Sequence, residues 1–189
     1  MEQLNQSLQF FFSLPQEQLA QMAACFVPEQ LSKGTSFLRA GQYAQKLSYV
    51  ASGYLRIWEQ HEKAEVTQWI SGPGYFVTDL RSLIFQEGGR WQIDALCDCE
   101  LMTLSGEQYR QLADRIPAWD RIEKRFLAKC FALLEDRVHE FLSLSARQRY
   151  DRLFARDPEL FNQVPLQYIA SMLGMSPETL SRIRREVIS

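Results

Sequence analysis

Two hydrophobic rhythms divide the chain. Between about Val27 and Leu104, short runs such as SFLRA, LSYVA, YLRIWEQ, EVTQWI and QIDALCDCELMTL alternate polar with apolar positions or are rich in aromatic residues. Such alternation marks strands with one buried face, and Gly34, Gly41, Gly53, Gly72-Pro73-Gly74 and Gly88-Gly89 separate them as turns. Regularly spaced short strands with glycine turns predict a β-sandwich or jelly roll. Ahead of them, Ser13 with Gln16 reads as a capping box opening a helix to about Cys25, with Leu14, Leu19, Met22 and Ala23 as its apolar positions. From about Glu107 to Leu144 the apolar spacing lengthens to threes and fours, the period of a helix, and Pro117 ends one helix and begins another. The second of these repeats Trp119, Ile122, Phe126, Cys130, Leu133, Val138 and Phe141, the pattern of a helix seam. A seam needs a partner, either the chain's own jelly roll or the same helix of a second copy; a helix joining two domains favours the second copy. Ser145 with Gln148 then forms a new capping box, which places a hinge at about Ser143 to Ser145.

The last segment, Val164 to Ile188, predicts two short helices and a tight turn. Pro165 suits a first helical turn, and Ile169, Ala170, Met172 and Leu173 make an apolar face. Gly174 fits the left-handed position that closes a helix, and Ser176-Pro177-Glu178 supplies an N-cap, a first-turn proline and a first-turn acid for the next helix. Leu180, Ile183 and Val187 form an apolar stripe on that helix. Its polar face carries Glu178, Ser181, Arg182 and Arg185, with Arg184 to one side. A small residue, a glycine turn and an anchoring leucine at these spacings are helix-turn-helix geometry. Arginine can bind guanine O6 and N7, glutamate can accept from cytosine N4, and serine can serve a base or a phosphate. A helical hairpin with a solvated polar face is the plainer alternative.

Composition narrows the choice. The 189 residues are 46% hydrophobic, enough for one good core and a small satellite. Net charge is −2, so a basic coat for nucleic acid is excluded. The balance is local: seven arginines face five acids from Ser145 to Ser189, a surplus of +2 that leaves −4 for the rest. No serine–histidine–aspartate set with local motif support, phosphate loop or metal cluster is visible, and an enzyme is not expected. A cupin-type jelly roll would need a histidine cluster, whereas the two histidines, His61 and His139, lie far apart. Cys25, Cys97, Cys99 and Cys130 lack zinc-site spacing and read as free thiols. The Phe10-Phe11-Phe12 cluster is short and no Lys or Arg precedes Lys33, so no export signal or membrane segment is expected, and the protein reads as cytoplasmic.

Several strings together resemble the Crp/Fnr group of bacterial transcription regulators: Lys33-Gly34, Phe37-Leu38-Arg39-Ala40-Gly41, Tyr49 through Ile57, Pro73-Gly74-Tyr75-Phe76, and Glu178-Thr179-Leu180-Ser181-Arg182. The resemblance spans nearly the whole chain. It implies an α+β architecture: an N-terminal jelly roll like that of cyclic-nucleotide-binding domains (1–116), a long dimerisation helix (117–144) and a small helix-turn-helix domain (145–189). By it, Glu178, Ser181 and Arg182 read bases, while Ser176, Gln167, Arg184 and Arg185 hold the DNA backbone. The implied function is a homodimer regulating transcription at a pseudo-palindromic operator, with double-stranded DNA as partner and RNA polymerase a further candidate. A ligand-sensing protein-interaction module that does not bind DNA is the alternative. The segment between Arg156 and Pro165 is too short for the β-hairpin wing of many relatives, and the chain stops soon after its last helix; a minimal DNA module with a shallower salt dependence is expected.

The effector end departs from the family pattern. Where cyclic-nucleotide binders carry Gly-Glu and then Arg-Ser or Arg-Thr, this chain has Thr78-Asp79 and Gly89-Arg90-Trp91. A shorter carboxylate, a β-branched residue in place of glycine and a bulky tryptophan near the phosphate position disfavour cyclic nucleotide as a ligand. Thr78, Asp79, Arg90 and Trp91 are therefore candidates for a pocket with an unknown small-molecule effector or none, and an Asp79–Arg90 ion pair is expected in pocket or core. Iron–sulfur relatives use clustered N-terminal cysteines, and only Cys25 lies in that region, so no cofactor is expected.

Overall fold

In the computed structural model, which describes residues 1–62 and 64–188 without the side chains of 187 and 188, the alternating region forms eight strands. They are β1 (Val27–Leu31), β2 (Ser36–Leu38), β3 (Lys46–Ser52), β4 (Leu55–His61), β5 (Ala64–Ser71), β6 (Phe76–Val77), β7 (Gln92–Ala95) and β8 (Cys99–Ser105). Two antiparallel sheets result, ordered β1-β8-β3-β6 and β2-β7-β4-β5. The first strand pairs with the last, from Val27 opposite Thr103 to Leu31 opposite Cys99, which brings the two ends of the β region together.

Nine helices surround the sheets among the described residues: α1 (Glu2–Phe12), α2 (Gln16–Ala23), α3 (Leu80–Phe85), α4 (Gly106–Arg115), α5 (Trp119–Ser143), α6 (Ala146–Arg156), α7 (Leu160–Gln163), α8 (Leu166–Met172) and α9 (Pro177–Ile188). The capping box expected at Ser13 does not form. Ser13 instead closes α1 in the left-handed conformation (φ 53°), its N–H donating to Gln9 O, and Pro15 precedes α2 with no side-chain cap. The expected helix is α2, and α1 precedes it where none was expected. The first carries Leu4, Leu8, Phe11 and Phe12 on one buried face, and Phe12 stacks on Phe126 of α5 at 4.4 Å between ring centroids.

Helical cover explains why two strands do not alternate. β3 buries Leu47, Ser48, Tyr49 and Val50 in succession, with helices α1 and α4 against it. β4 buries Leu55, Arg56 and Ile57 because the C-terminal helices lie over its second face. There the Arg56 guanidinium sits 3.8 Å from the Tyr168 ring and pairs with Glu65 at 2.6 Å, so a charged side chain is buried only with its partners. Tyr54 donates to Asp157 Oδ1 at 3.0 Å, and the Thr67 N–H donates to Ser171 Oγ at 2.9 Å. Tyr54 and Ile70 of the jelly roll join a second core with Tyr150, Leu153, Ile169 and Leu180.

Candidate functional site

The second core holds a helix-turn-helix. Pro165 stands just before the first turn of α8, and Ile169, Ala170, Met172 and Leu173 are buried. The chain reverses at Gly174 (φ +64°), and the Met175 N–H reaches back to Ala170 O at 3.0 Å. A side chain at Gly174 would be strained twice, by its backbone conformation and by a Cβ 2.6 Å from the Phe141 ring of α5. Ser176 then caps α9, its Oγ accepting from the Thr179 N–H at 3.2 Å. Leu180 and Ile183 anchor the helix in the core; the side chain of Val187 lies outside the described residues.

Anchoring one face of α9 presents the other. Glu178, Ser181, Arg182 and Arg185 are exposed, and Arg184 is half-buried. Gln167, at the start of α8, and Ser176 are exposed as well. Among the described residues the Arg182 guanidinium meets Glu186, at 3.9 Å, which Arg147 of α6 also approaches at 3.6 Å. At that distance and exposure the pair adds little. Its own backbone N–H and the Ser176 hydroxyl hold the Glu178 carboxyl below the usual carboxylate range, which keeps it an acceptor at neutral pH. Between α6 and α8 lies only the single turn of α7, and among the described residues no strand follows β8. Among the described residues the module shows no wing.

Helix α5 divides its apolar residues between two partners. Trp119, Ile122 and Phe126, the start of the expected seam, are buried against the chain's own α1 and jelly roll. Further along, Phe131, Leu134, Val138 and Leu142 are exposed and recur at the threes and fours that put them on one stripe. The expected seam is therefore corrected in part: Trp119, Ile122 and Phe126 are internal and Cys130 is partly so, Leu133, Val138 and Phe141 are exposed, and a stripe that was not expected runs through Phe131, Leu134 and Leu142 beside Val138.

The four pocket candidates do not converge. Asp79 is buried and caps α3, accepting the Ser82 N–H at 3.0 Å and the Arg90 N–H at 3.1 Å. Its expected ion pair with Arg90 is overturned, because only the backbone of Arg90 reaches it. The Arg90 guanidinium turns outward to make a two-pronged pair with Glu59 on β4 and lies over the Trp91 ring. Trp91, half-buried, packs against the jelly-roll core. Of the four, Thr78 alone lines the cavity between the roll and α5. That cavity, about 200 Å³, is walled chiefly by apolar side chains of α1, β3, β5 and α5.

Of the polar groups of this cavity, sequence reasoning named Thr78 and missed Arg137. Thr78 Oγ1 and Arg137 Nη1 are buried without hydrogen-bond partners, and Arg137 on α5 meets Arg156 of α6 across Trp69. Arginines on amphipathic helices look solvated in a sequence; only the hinge between α5 and α6 brings these two to one ring.

No family model and no curated protein matches the sequence. Solved structures do match the fold. The catabolite activator protein of Thermus thermophilus is 25% identical, with 96% of this chain and 86% of that one covered and a TM-score of 0.59. FixK2 of Bradyrhizobium japonicum is 16% identical over 86% of this chain and 84% of its own, with a TM-score of 0.70. The c-di-GMP-responsive global regulator CLP of Xanthomonas campestris is 21% identical over 92% and 91%, at 0.62. The structural neighbours are Crp/Fnr-family regulators and cyclic-nucleotide-binding proteins, and the chain has their fold: the jelly roll and the helical C-terminal part.

Proposed function

We propose that the protein is a Crp/Fnr-type transcription regulator that reads a pseudo-palindromic operator as a homodimer. Its working parts are a jelly roll (1–116), a dimerisation helix (117–144) and a helix-turn-helix (145–189). The observation that carries this reading is α9: a capped helix anchored by Leu180 and Ile183, with Glu178, Ser181 and Arg182 uncovered on its outer face. A helix so presented can enter a major groove, where Arg182 meets guanine, Glu178 accepts from a cytosine amino group and Ser181 serves an adjacent base. Ser176, Gln167, Arg184 and Arg185 flank these residues and hold phosphates, setting register without reading sequence.

The free stripe of α5 supplies the two-fold contact. Four large apolar side chains on one helical stripe lose contact with water when paired with the same stripe of a second copy. Such a dimer sets two α9 helices about 34 Å apart, one turn of DNA. With no wing among the described residues, few phosphate contacts and a shallow dependence of affinity on salt are expected.

Selection from a random duplex pool with the full-length protein, with and without cyclic AMP, tests this. Enrichment of an inverted repeat without nucleotide is expected. Enrichment only with nucleotide would overturn the reading of the Asp79–Arg90 segment, and no enrichment in either arm would sink the DNA reading and favour a protein-interaction module.

A further inference from the structure

At the hinge the jelly-roll cavity runs into a second cleft of about 310 Å³ between α5, α6 and α8, and the two share Trp69, Tyr75, Leu133 and Arg137 as walls. Four arginines and two acids line the second cleft, and Glu140 is already paired with Arg152 at 3.2 Å. Arg149 is held by the carbonyls of Leu144 and Leu173. Arg137 and Arg156 remain. Their guanidiniums lie 5.1 and 5.3 Å from the Trp69 ring centre, and neither makes an ion pair with a carboxylate among the described residues. Arg137 gives one N–H to Met172 O at 3.0 Å, while its Nη1 is buried with no acceptor.

From this arrangement we infer that the joined cavities bind an amphipathic organic monoanion, its apolar body in the jelly-roll cavity and its carboxylate between Arg137 and Arg156. A largely buried cation next to a second cation, with the nearby Glu140 already shared with Arg152, is unfavourable, and a carboxylate placed between them relieves both burdens. The walls of the first cavity take an alkyl chain or one ring, with the unpartnered Thr78 hydroxyl and the Gln68 amide as polar groups beside it. A cyclic nucleotide has the opposite layout. Its phosphate would face the Asp79–Arg90 segment, where the carboxylate accepts backbone N–H groups and the guanidinium is held outside by Glu59. Burial first, and then the neighbouring Arg156, pulls the Arg137 guanidinium down to about 10. A group whose folded pKa is lowered costs stability throughout the range below that value; the cost fades only between about 10 and the ordinary arginine value, or when an anion arrives.

The position gives the occupant a regulatory use. It would touch β5, α5 and α6 together, and Arg137 already holds the carbonyl of Met172 in α8, so filling the site fixes the hinge. This extends the regulator reading, but binding measured on the protein alone stands or falls without DNA.

Calorimetry with the full-length protein, straight-chain carboxylates from hexanoate to dodecanoate, 4-phenylbutanoate and the matching neutral amides decides the matter. At least one carboxylate is expected to bind about tenfold or more tightly than its amide, the difference carried by the charged contacts. Arg156→Gln, at an exposed position that folding tolerates, should remove that preference, and Arg137→Gln should do the same. The inference is overturned if no carboxylate in the series binds, if amides bind equally well, if Arg156→Gln leaves the preference intact, or if cyclic AMP binds more tightly than every member of the series.

Discussion

Two short helices of this molecule begin with the same device and end in opposite roles. Ser176 caps α9 and Asp79 caps α3, each taking an N–H three residues on. Around α9 the polar side chains beyond the cap stay uncovered. Around α3 they are absorbed: Asp79 also accepts the Arg90 N–H, Ser82 donates to Glu87 O, and Arg90 is tied to Glu59. The same local chemistry thus makes a recognition surface in one place and a closed scaffold in the other. What decides between them is whether the side chains past the cap are drawn into the roll or left on an outer face.

The largest expected effect falls on the closed side. Asp79→Ala removes an N-cap and leaves the Ser82 and Arg90 N–H groups without their acceptor in a buried site; a loss of about 3 kcal/mol in stability is expected from denaturant unfolding. A loss below about 0.5 kcal/mol, the level of an ordinary surface change, would mean that Asp79 is free for a ligand after all. On the open side, Arg182→Ala should leave stability unchanged. It should cost about 1–3 kcal/mol of discrimination at one base pair, whereas Arg184→Ala should weaken all sequences alike. Equal losses on operator and random DNA for Arg182→Ala would put that arginine on a phosphate.

Gly174→Ala probes the turn that joins the open side to α5. Placing a methyl at φ +64° and against Phe141 should cost about 1–2 kcal/mol. The Phe141 ring is partly exposed and can swing aside, so the backbone term sets the lower end. A neutral result would show that the turn relaxes and that α9 is less firmly placed than its caps suggest.

The open side was legible because all its determinants are local: the cap, the glycine, the small Ala170 and the leucine anchor sit within one short stretch of chain. The strands were legible for the same reason, through alternation. Where contacts are distant in sequence, the reading failed. The partner of Arg90 is Glu59, on another strand, and no pattern near Arg90 names it. The exposed stripe of α5 could not be told from the buried one until α1 was seen covering Phe126. That helix left a trace, Leu4, Leu8, Phe11 and Phe12 at helical spacing, obscured by the glutamines between. Arg137 and Arg156 left none, since their meeting at Trp69 depends on the angle of the hinge.

The smallest effect is the sharpest test of the closed side. Glu59→Ala releases the Arg90 guanidinium, and because that guanidinium lies at the exposed surface, the unfolding midpoint should move little. The released arginine keeps its backbone bond to Asp79, so its side chain still starts from the outer surface, and no affinity for cyclic AMP should appear. If affinity did appear, Glu59 would be a latch holding a nucleotide-binding arginine out of the pocket, and α3 would belong with α9 among the surfaces built to be filled. If it does not, direction rather than charge keeps Arg90 outside: the backbone N–H committed to Asp79 aims the side chain away from the cavity before Glu59 meets it.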